Sequence, residues 1–178
     1  GDAIYLNATD KDGIAVDDVI LTIRVYKNNT LIDTLDRLTN KDWVVDLDAG
    51  SYVAKVAIEH HAYEIDKQFK LTIEKLPTNI SASDISTVYN KDDFIVVTLK
   101  DTRGNPLADA VIFVDLNGVI NCTTDENGTV KVSTKGVDAG NHTATLAYGG
   151  ANNYVNSSAT VNVTVEKANS VIAANALT

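Results

Sequence analysis

The sequence predicts an all-β protein built of two tandem antiparallel β-sandwich domains, set end to end. Three observations carry the prediction: an internal repeat of about 90 residues, apolar alternation at period two, and turn chemistry between the alternating runs. Residues 10–23 (DKDGIAVDDVILTI) return 91 positions later as residues 101–114 (DTRGNPLADAVIFV). Asp48-Ala49-Gly50 returns as Asp138-Ala139-Gly140, and Leu71-Thr72-Ile73-Glu74-Lys75 returns as Val163-Thr164-Val165-Glu166-Lys167, at offsets of 90 and 92. Short indels therefore separate two copies of one unit. A period this long marks an array of small domains rather than an enzyme core around a cleft.

Along the chain, the first copy is expected over 1–76 with its leading strand missing, the second over 77–167, and the start of a third over 168–178. Asp12-Gly13 is the first turn signal. From Val19, alternation places Val19, Leu21, Ile23 and Val25 on one face and Ile20, Thr22, Arg24 and Tyr26 on the other. Asp48-Ala49-Gly50 makes a corner. The last strand of the copy turns Phe69, Leu71 and Ile73 inward and Gln68, Lys70 and Thr72 outward. Leu76-Pro77-Thr78 is the linker; it is short, and Pro77 fixes φ, so limited bending is expected there.

In the second copy, Arg103-Gly104-Asn105-Pro106 turns the chain. Ala110, Ile112, Val114 and Leu116 then alternate with Val111, Phe113, Asp115 and Asn117. Asn117-Gly118, Asp125-Glu126-Asn127-Gly128 and Asp138-Ala139-Gly140 are further turns, and Val161, Val163 and Val165 form the inner face of the last strand. No segment has a capped apolar repeat of helical period. Six or seven such strands per copy make a sandwich.

Copy one aligns from Gly1 onto Asp92, so it has no match for 76–91. The tail matches 76–86, with Ile172 on Ile80, Ala174 on Ala82 and Leu177 on Ile85. Residues 171–177 are therefore expected to pair as a strand. They either fill the vacant slot of copy one in a neighbouring molecule or extend the sheet of copy two.

Composition narrows the function. A net charge of −9 and a pI near 4.6 disfavour nucleic acid and anionic membrane surfaces as partners. The single cysteine, Cys122, excludes the internal inter-sheet disulfide of antibody domains. There is no membrane-spanning apolar run and no signal peptide; since the repeat is cut at both ends, the chain reads as a fragment.

The order D-x-x-G-x-P-L-x-x-A-V over 101–111, T-D-x-x-G-x-V over 124–130, D-A-G-x-x-x-A over 138–144, and Asn153-Tyr154 resembles the Ig-like repeats of large adhesin-like surface proteins. Those of methanogenic archaea are nearest in likeness. Copy one departs from the pattern: it lacks the Pro, the T-D-x-x-G turn and the Asn before Tyr63. The resemblance implies two Ig-like sandwiches in a long secreted stalk at the cell surface, with no catalysis of their own.

Asn-x-Ser/Thr acceptor triplets begin at Asn7, Asn28, Asn79, Asn121, Asn127, Asn141, Asn156 and Asn162. With 17 Asn and 27 Ser plus Thr in 178 residues, chance supplies about two or three such triplets. Eight candidate N-glycosylation sites fit an extracellular setting, although Asn- and Thr-rich β-proteins also accumulate triplets that go unused.

Other chemistry is thin. Asp10-x-Asp12-Gly13 resembles the opening of a calcium loop, with Asp17, Asp18, Asp46 and Asp48 nearby, but the bidentate Glu of an EF-hand is missing. Such aspartates more often cap their own turns. His60-His61 has no third ligand at metal spacing, and His142 takes the place of Tyr52 after the corner, where a ring fills the end of the sandwich like a tyrosine corner. Cys122 has no base pattern beside it, and inward strand positions carry no Lys for a Lys–Asn crosslink. The expectation is no catalytic site, no metal and no cofactor.

Two functions remain: a structural spacer repeat of an extracellular adhesin-like protein, or a carbohydrate-binding module. Sugar-binding sandwiches present an aromatic platform, whereas Tyr5, Tyr26 and Phe113 are expected on outer faces without clustering. The spacer reading is favoured. Its partners are neighbouring repeats of the same chain and surface molecules or glycans of another cell, without nucleic acid and without membrane insertion.

Overall fold

A computed structural model of the chain describes residues 3–60 and 63–173. The described residues form strands and no helix, in two compact units divided between Lys75 and Leu76. Each unit is a β-sandwich of two sheets.

Unit 1 contains β1 (Ala3–Leu6), β2 (Ile20–Lys27), β3 (Thr30–Leu38), β4 (Lys41–Val44), β5 (Gly50–His60) and β6 (Tyr63–Ile73). One sheet runs β3-β2-β5-β6 and the other β1-β4, all antiparallel. The alternation read from sequence decides which side chains meet between the sheets. Leu21, Ile23 and Val25 of β2 and Tyr52, Ala54, Val56 and Ile58 of β5 are buried against Leu6 and Trp43. Each such aliphatic side chain contributes about 1.5–3 kcal/mol on burial.

Unit 2 contains β7 (Thr78–Ser81), β8 (Ile85–Val88), β9 (Phe94–Asp101), β10 (Val111–Asp115), β11 (Val119–Thr123), β12 (Thr129–Ser133), β13 (Gly140–Tyr148) and β14 (Ser157–Glu166). Its sheets run β11-β10-β13-β14-β8 and β12-β9-β7. Between them lie Ile95, Val97, Leu99, Ile112, Val114, Leu146, Val161 and Val163.

The two strand orders correspond. β3-β2-β5-β6 maps onto β11-β10-β13-β14, and β1-β4 maps onto β9-β12. What unit 2 has in addition is β7 and β8. Local devices repeat as well. Asp18 and Asp109, just ahead of β2 and β10, both have positive φ, at 57° and 54°. Thr39 and Thr124 are both buried, and their hydroxyls accept the N–H of Val19 and Ala110 at 3.3 and 3.0 Å.

Three features differ from the expectations. First, the leading segment of unit 2 is two strands in different sheets, not one. β7 pairs antiparallel with β9, then 82–84 carries the chain across and β8 pairs parallel with β14, from Ile85↔Val163 to Val88↔Glu166. The sandwich is therefore not wholly antiparallel. The crossing is held by Asp84, whose two carboxylate oxygens accept the backbone N–H and side-chain Nδ2 of Asn162 at 2.8 and 3.0 Å.

Second, β2 and β3 are joined through Asn28 and Asn29, which the sequence marks only as an acceptor triplet. Both have positive φ, 50° and 63°, as a two-residue turn of the mirror-image type requires. Third, the tail does not extend the sheet of copy two within the described residues. β14 already has β13 and β8 on its two sides, and 167–173 form no strand. Residues 174–178 lie outside the described residues.

Candidate functional site

The calcium candidate is a self-closed loop. Asp10 Oδ1 accepts the N–H groups of Asp12 and Ile14, both at 2.9 Å, and Gly13 N–H donates to the Asp10 carbonyl at 3.1 Å. The same five-residue loop recurs twice. Asp101 Oδ1 accepts from Arg103 and Asn105 at 2.9 Å, and Asp125 Oδ1 accepts from Asn127 and Thr129 at 2.9 and 2.8 Å. In each, the fourth residue is glycine at positive φ: Gly13, Gly104 and Gly128. The carboxylate thus satisfies backbone donors that the turn leaves without a strand partner. Asp17 bonds Asn40 Nδ2 and Asp12 pairs with Lys11. Among the described residues, no three His, Cys, Asp or Glu side chains cluster at metal-binding distance.

Copy one replaces its T-D-x-x-G turn with Thr39-Asn40. Asn40, at φ 56°, does the closing work of the missing loop: its Oδ1 accepts Ala8 N–H at 3.3 Å and its Nδ2 donates to the Val16 carbonyl at 3.4 Å.

Tyr52 and His142 occupy the same place. The Tyr52 hydroxyl donates to the Asp48 carbonyl at 2.6 Å, and His142 Nε2 lies 2.7 Å from the Asp138 carbonyl, each four residues upstream. Both rings tie β5 or β13 to the corner before it, the work of a tyrosine corner. Tyr52 is buried and its ring also carries the Lys27 ammonium 5.1 Å from its centre. Cys122 faces inward beside Ile112, and burial pushes its thiol above the ordinary value, away from the thiolate a nucleophile needs. His60 ends β5, and His61 lies outside the described residues.

Three carboxyl groups of unit 2 are held below the ordinary aspartate value. For Asp84 the cause is the Asn162 side chain and then its backbone N–H; for Asp93, the Thr87 hydroxyl and then Lys91; for Asp101, the Asn105 amide. A lowered folded value means that each carboxylate stabilises the fold above its unfolded value, roughly 3.9. That stabilisation is lost as pH falls through the folded value. Acidification below about pH 4 is therefore expected to weaken unit 2. Asp84→Asn should be less stable than wild type at pH 7, and the gap should narrow in thermal melts at pH 2–3. Parallel pH profiles for the two proteins would contradict the assignment.

All eight acceptor asparagines are exposed. Asn7 follows β1, Asn28 sits in the β2–β3 turn, Asn79 lies on β7, Asn121 on β11, Asn127 in the third Asp loop, and Asn156 just ahead of β14. Asn141 and Asn162 have a relation the sequence does not reveal. Their triplets face one another on β13 and β14, with Asn141 opposite Thr164 and Thr143 opposite Asn162. Thr164 Oγ1 donates to Asn141 Oδ1 at 3.3 Å, and the Nδ2 of Asn162, the atom that would carry a glycan, is bonded to Asp84. Asn162 thus acts as a structural clamp in the folded unit.

Tyr5 and Tyr26 turn away from the core on opposite layers of unit 1, Tyr5 exposed and Tyr26 half-buried with the Lys55 ammonium 5.0 Å from its ring centre. Phe113 stands on the outer face of β10 and is exposed. These three make no common platform. Phe113 borders an open groove of about 320 Å³ that Tyr148 and Tyr154 also line, with Asp109 as its one charged side chain.

No protein-family model matches this sequence, and no curated protein matches it. Several solved structures are similar in part. Domains 4 and 5 of the S-layer protein SbsC give a TM-score of 0.41 at 19% identity, covering 90% of this chain and 79% of that one. SbsC domains 1–6 give 0.44 at 18%, covering 95% of this chain and 27% of that one. The fibronectin(III)-like modules of Clostridium thermocellum CbhA give 0.39 at 18%, covering 94% and 87%.

Proposed function

We propose that the chain is a pair of structural spacer repeats of a large extracellular, adhesin-like surface protein, supporting cell adhesion by reach rather than by contact. The observation that carries this reading is the use made of the polar side chains. Asp10, Asp101 and Asp125 close their own loops, Tyr52 and His142 hold the corners of their units, and Asp84 holds the strand crossing of unit 2. The protein is not an enzyme and takes no metal or cofactor. Its partners are neighbouring repeats and, through the rest of the adhesin, surface molecules or glycans of another cell. Its acidic surface keeps an exposed array soluble and away from nucleic acid. Some of the acceptor asparagines carry glycans in the native host, and the archaeal setting follows from the turn motifs that carry the adhesin likeness.

The groove beside Phe113 favours one second reading, a carbohydrate-binding module. Displaying a known binder on cells, carried on zero, one or several copies of 1–178, separates the two. The spacer reading predicts that bead capture through a polymer layer rises with copy number, and that copies without the binder capture nothing. Capture of glycan-coated beads by the copies alone, abolished by Phe113→Ala, would establish the second reading.

A further inference from the structure

β3 is the outermost strand of its sheet. It pairs with β2 on one side, and no described strand lies on the other. Its counterpart β11 is outermost in unit 2 in the same way, although β7 and β8 are present there, so an open edge at this place belongs to the sandwich itself. The two edges differ in length and charge. β11 has five residues and no charge, whereas β3 has nine residues and carries Asp33, Asp36 and Arg37. Every residue of β3 except Leu35 is exposed, Leu31, Ile32 and Leu38 among them.

The direction of the backbone groups on β3 follows from one bond. Thr39 N–H donates to the Val19 carbonyl at 2.9 Å, so Thr39 turns its backbone groups toward β2. Successive residues of a strand alternate in this respect. Arg37, Leu35 and Asp33 therefore also face β2, and Leu38, Asp36 and Thr34 turn their N–H and C=O to the open side. Two of those outward groups are capped by side chains of the same strand. Asp33 Oδ1 accepts Thr34 N–H at 2.8 Å, and Arg37 Nη1 donates to the Asp36 carbonyl at 2.8 Å. The capped groups are one donor and one acceptor, two residues apart.

We propose that β3 pairs antiparallel with β3 of a second copy of this chain, about a two-fold axis through Leu35. Thr34 N–H then donates to the carbonyl of the partner's Asp36, and the N–H of the partner's Asp36 donates to the Thr34 carbonyl. The axis repeats both bonds. The side chains that cap these groups in the single chain are released to meet each other, Asp33 against the partner's Arg37 and Arg37 against the partner's Asp33. Ile32, the extra residue where the pairing with β2 shifts register, comes up against the partner's Leu38.

Charge selects this register. Moving the axis by half a residue would set outward backbone groups against inward ones. Moving it to Asp33 or Asp36 would set like charges opposite each other, and moving it to Thr34 would set Asp36 against the partner's Ile32. Charged side chains on an open edge ordinarily keep copies apart. Those of β3 are spaced to be their own complement. The contact is isologous and closes at a dimer.

The test measures the mass of the 1–178 chain by sedimentation from micromolar to millimolar concentration. The wild type is expected to rise from monomer and level off at dimer. Arg37→Asp and Asp33→Arg each set like charges opposite each other twice across the axis, and each should weaken association about tenfold or more. The double variant, Asp33→Arg with Arg37→Asp, restores both pairs and should associate as the wild type does. Thr34→Pro removes the N–H that donates across the axis without removing a bond to β2, and should leave the chain monomeric. Unchanged emission from the buried Trp43 is the control that unit 1 stays folded in each variant. A wild type that stays monomeric throughout, single reversals that associate as the wild type does, or a double reversal no better than the singles overturns the proposal. It stands or falls independently of the spacer reading.

Discussion

Ile112→Asp is expected to unfold residues 76–166 while leaving the tryptophan signal of residues 3–73 unchanged. Ile112 is wholly buried in β10, facing Cys122 and the core of unit 2. An aspartate there has no partner, and burying an unpaired charge costs several kcal/mol against a domain stability of about 5–15. Trp43, the only tryptophan, is buried in the core of unit 1 and reports that unit alone. The variant should lose strand signal in circular dichroism yet keep blue-shifted tryptophan emission at 25 °C. Ile23→Asp, at the centre of the other core, should do the reverse and shift the emission to the red. Loss of both signals in either variant would mean that the two sandwiches do not fold as separate units.

Gly128→Ala should be nearly as damaging, and Gly104→Ala far less so. Both glycines hold the fourth place of an Asp loop at positive φ, 68° and 89°. An added Cβ costs about 1–2 kcal/mol from the backbone conformation alone at either position. At Gly104 it meets nothing within 4 Å, but at Gly128 it would come within 2.4 Å of the Leu99 carbonyl and 3.0 Å of Leu107 N. Those atoms belong to β9 and to the loop packed on it, and Leu99 N–H also donates to the Gly128 carbonyl at 2.8 Å. The backbone must move to relieve the contact. About 3 kcal/mol or more is expected for Gly128→Ala, a fall of about 12 °C or more in the melting temperature of unit 2. Gly104→Ala should lower it by about 5–10 °C. Equal shifts for the two would show that the close approach to β9 is not what fixes glycine at 128.

The local part of this fold was legible because local chemistry determines it. The alternation from Val19 to Val25 requires one face to be buried, and β2 buries that face. Asp-x-x-Gly spells its own loop, since a carboxylate two and four residues ahead of bare N–H groups will take them. The equivalence of Tyr52 and His142 followed from their shared place after the corner, and both rings reach the same upstream carbonyl.

Non-local pairings were not legible. The crossing from β7 to β8 has neither Gly nor Pro in Ser81-Ala82-Ser83-Asp84; what fixes it is Asn162, 78 residues away. Parallel pairing of β8 with β14 has no signature in either strand, because period two is the same for both directions. The facing triplets at Asn141 and Asn162 depend on the register of β13 and β14 and are likewise invisible in the linear order. Asn28-Asn29 has no glycine to mark it as a turn, yet both residues take the positive φ that glycine usually supplies.

Pulling a single chain by its two ends tests most directly whether the two sandwiches are separately folded copies of one unit. Fully extended residues span at most about 3.6 Å each, so unfolding residues 3–73 should release roughly 250 Å of chain and residues 76–166 roughly 330 Å, less the folded spans. Two separate force peaks with these two increments are expected, the Ile112→Asp chain retaining only the shorter. A single event releasing the whole length, or a smooth extension without peaks, would contradict it.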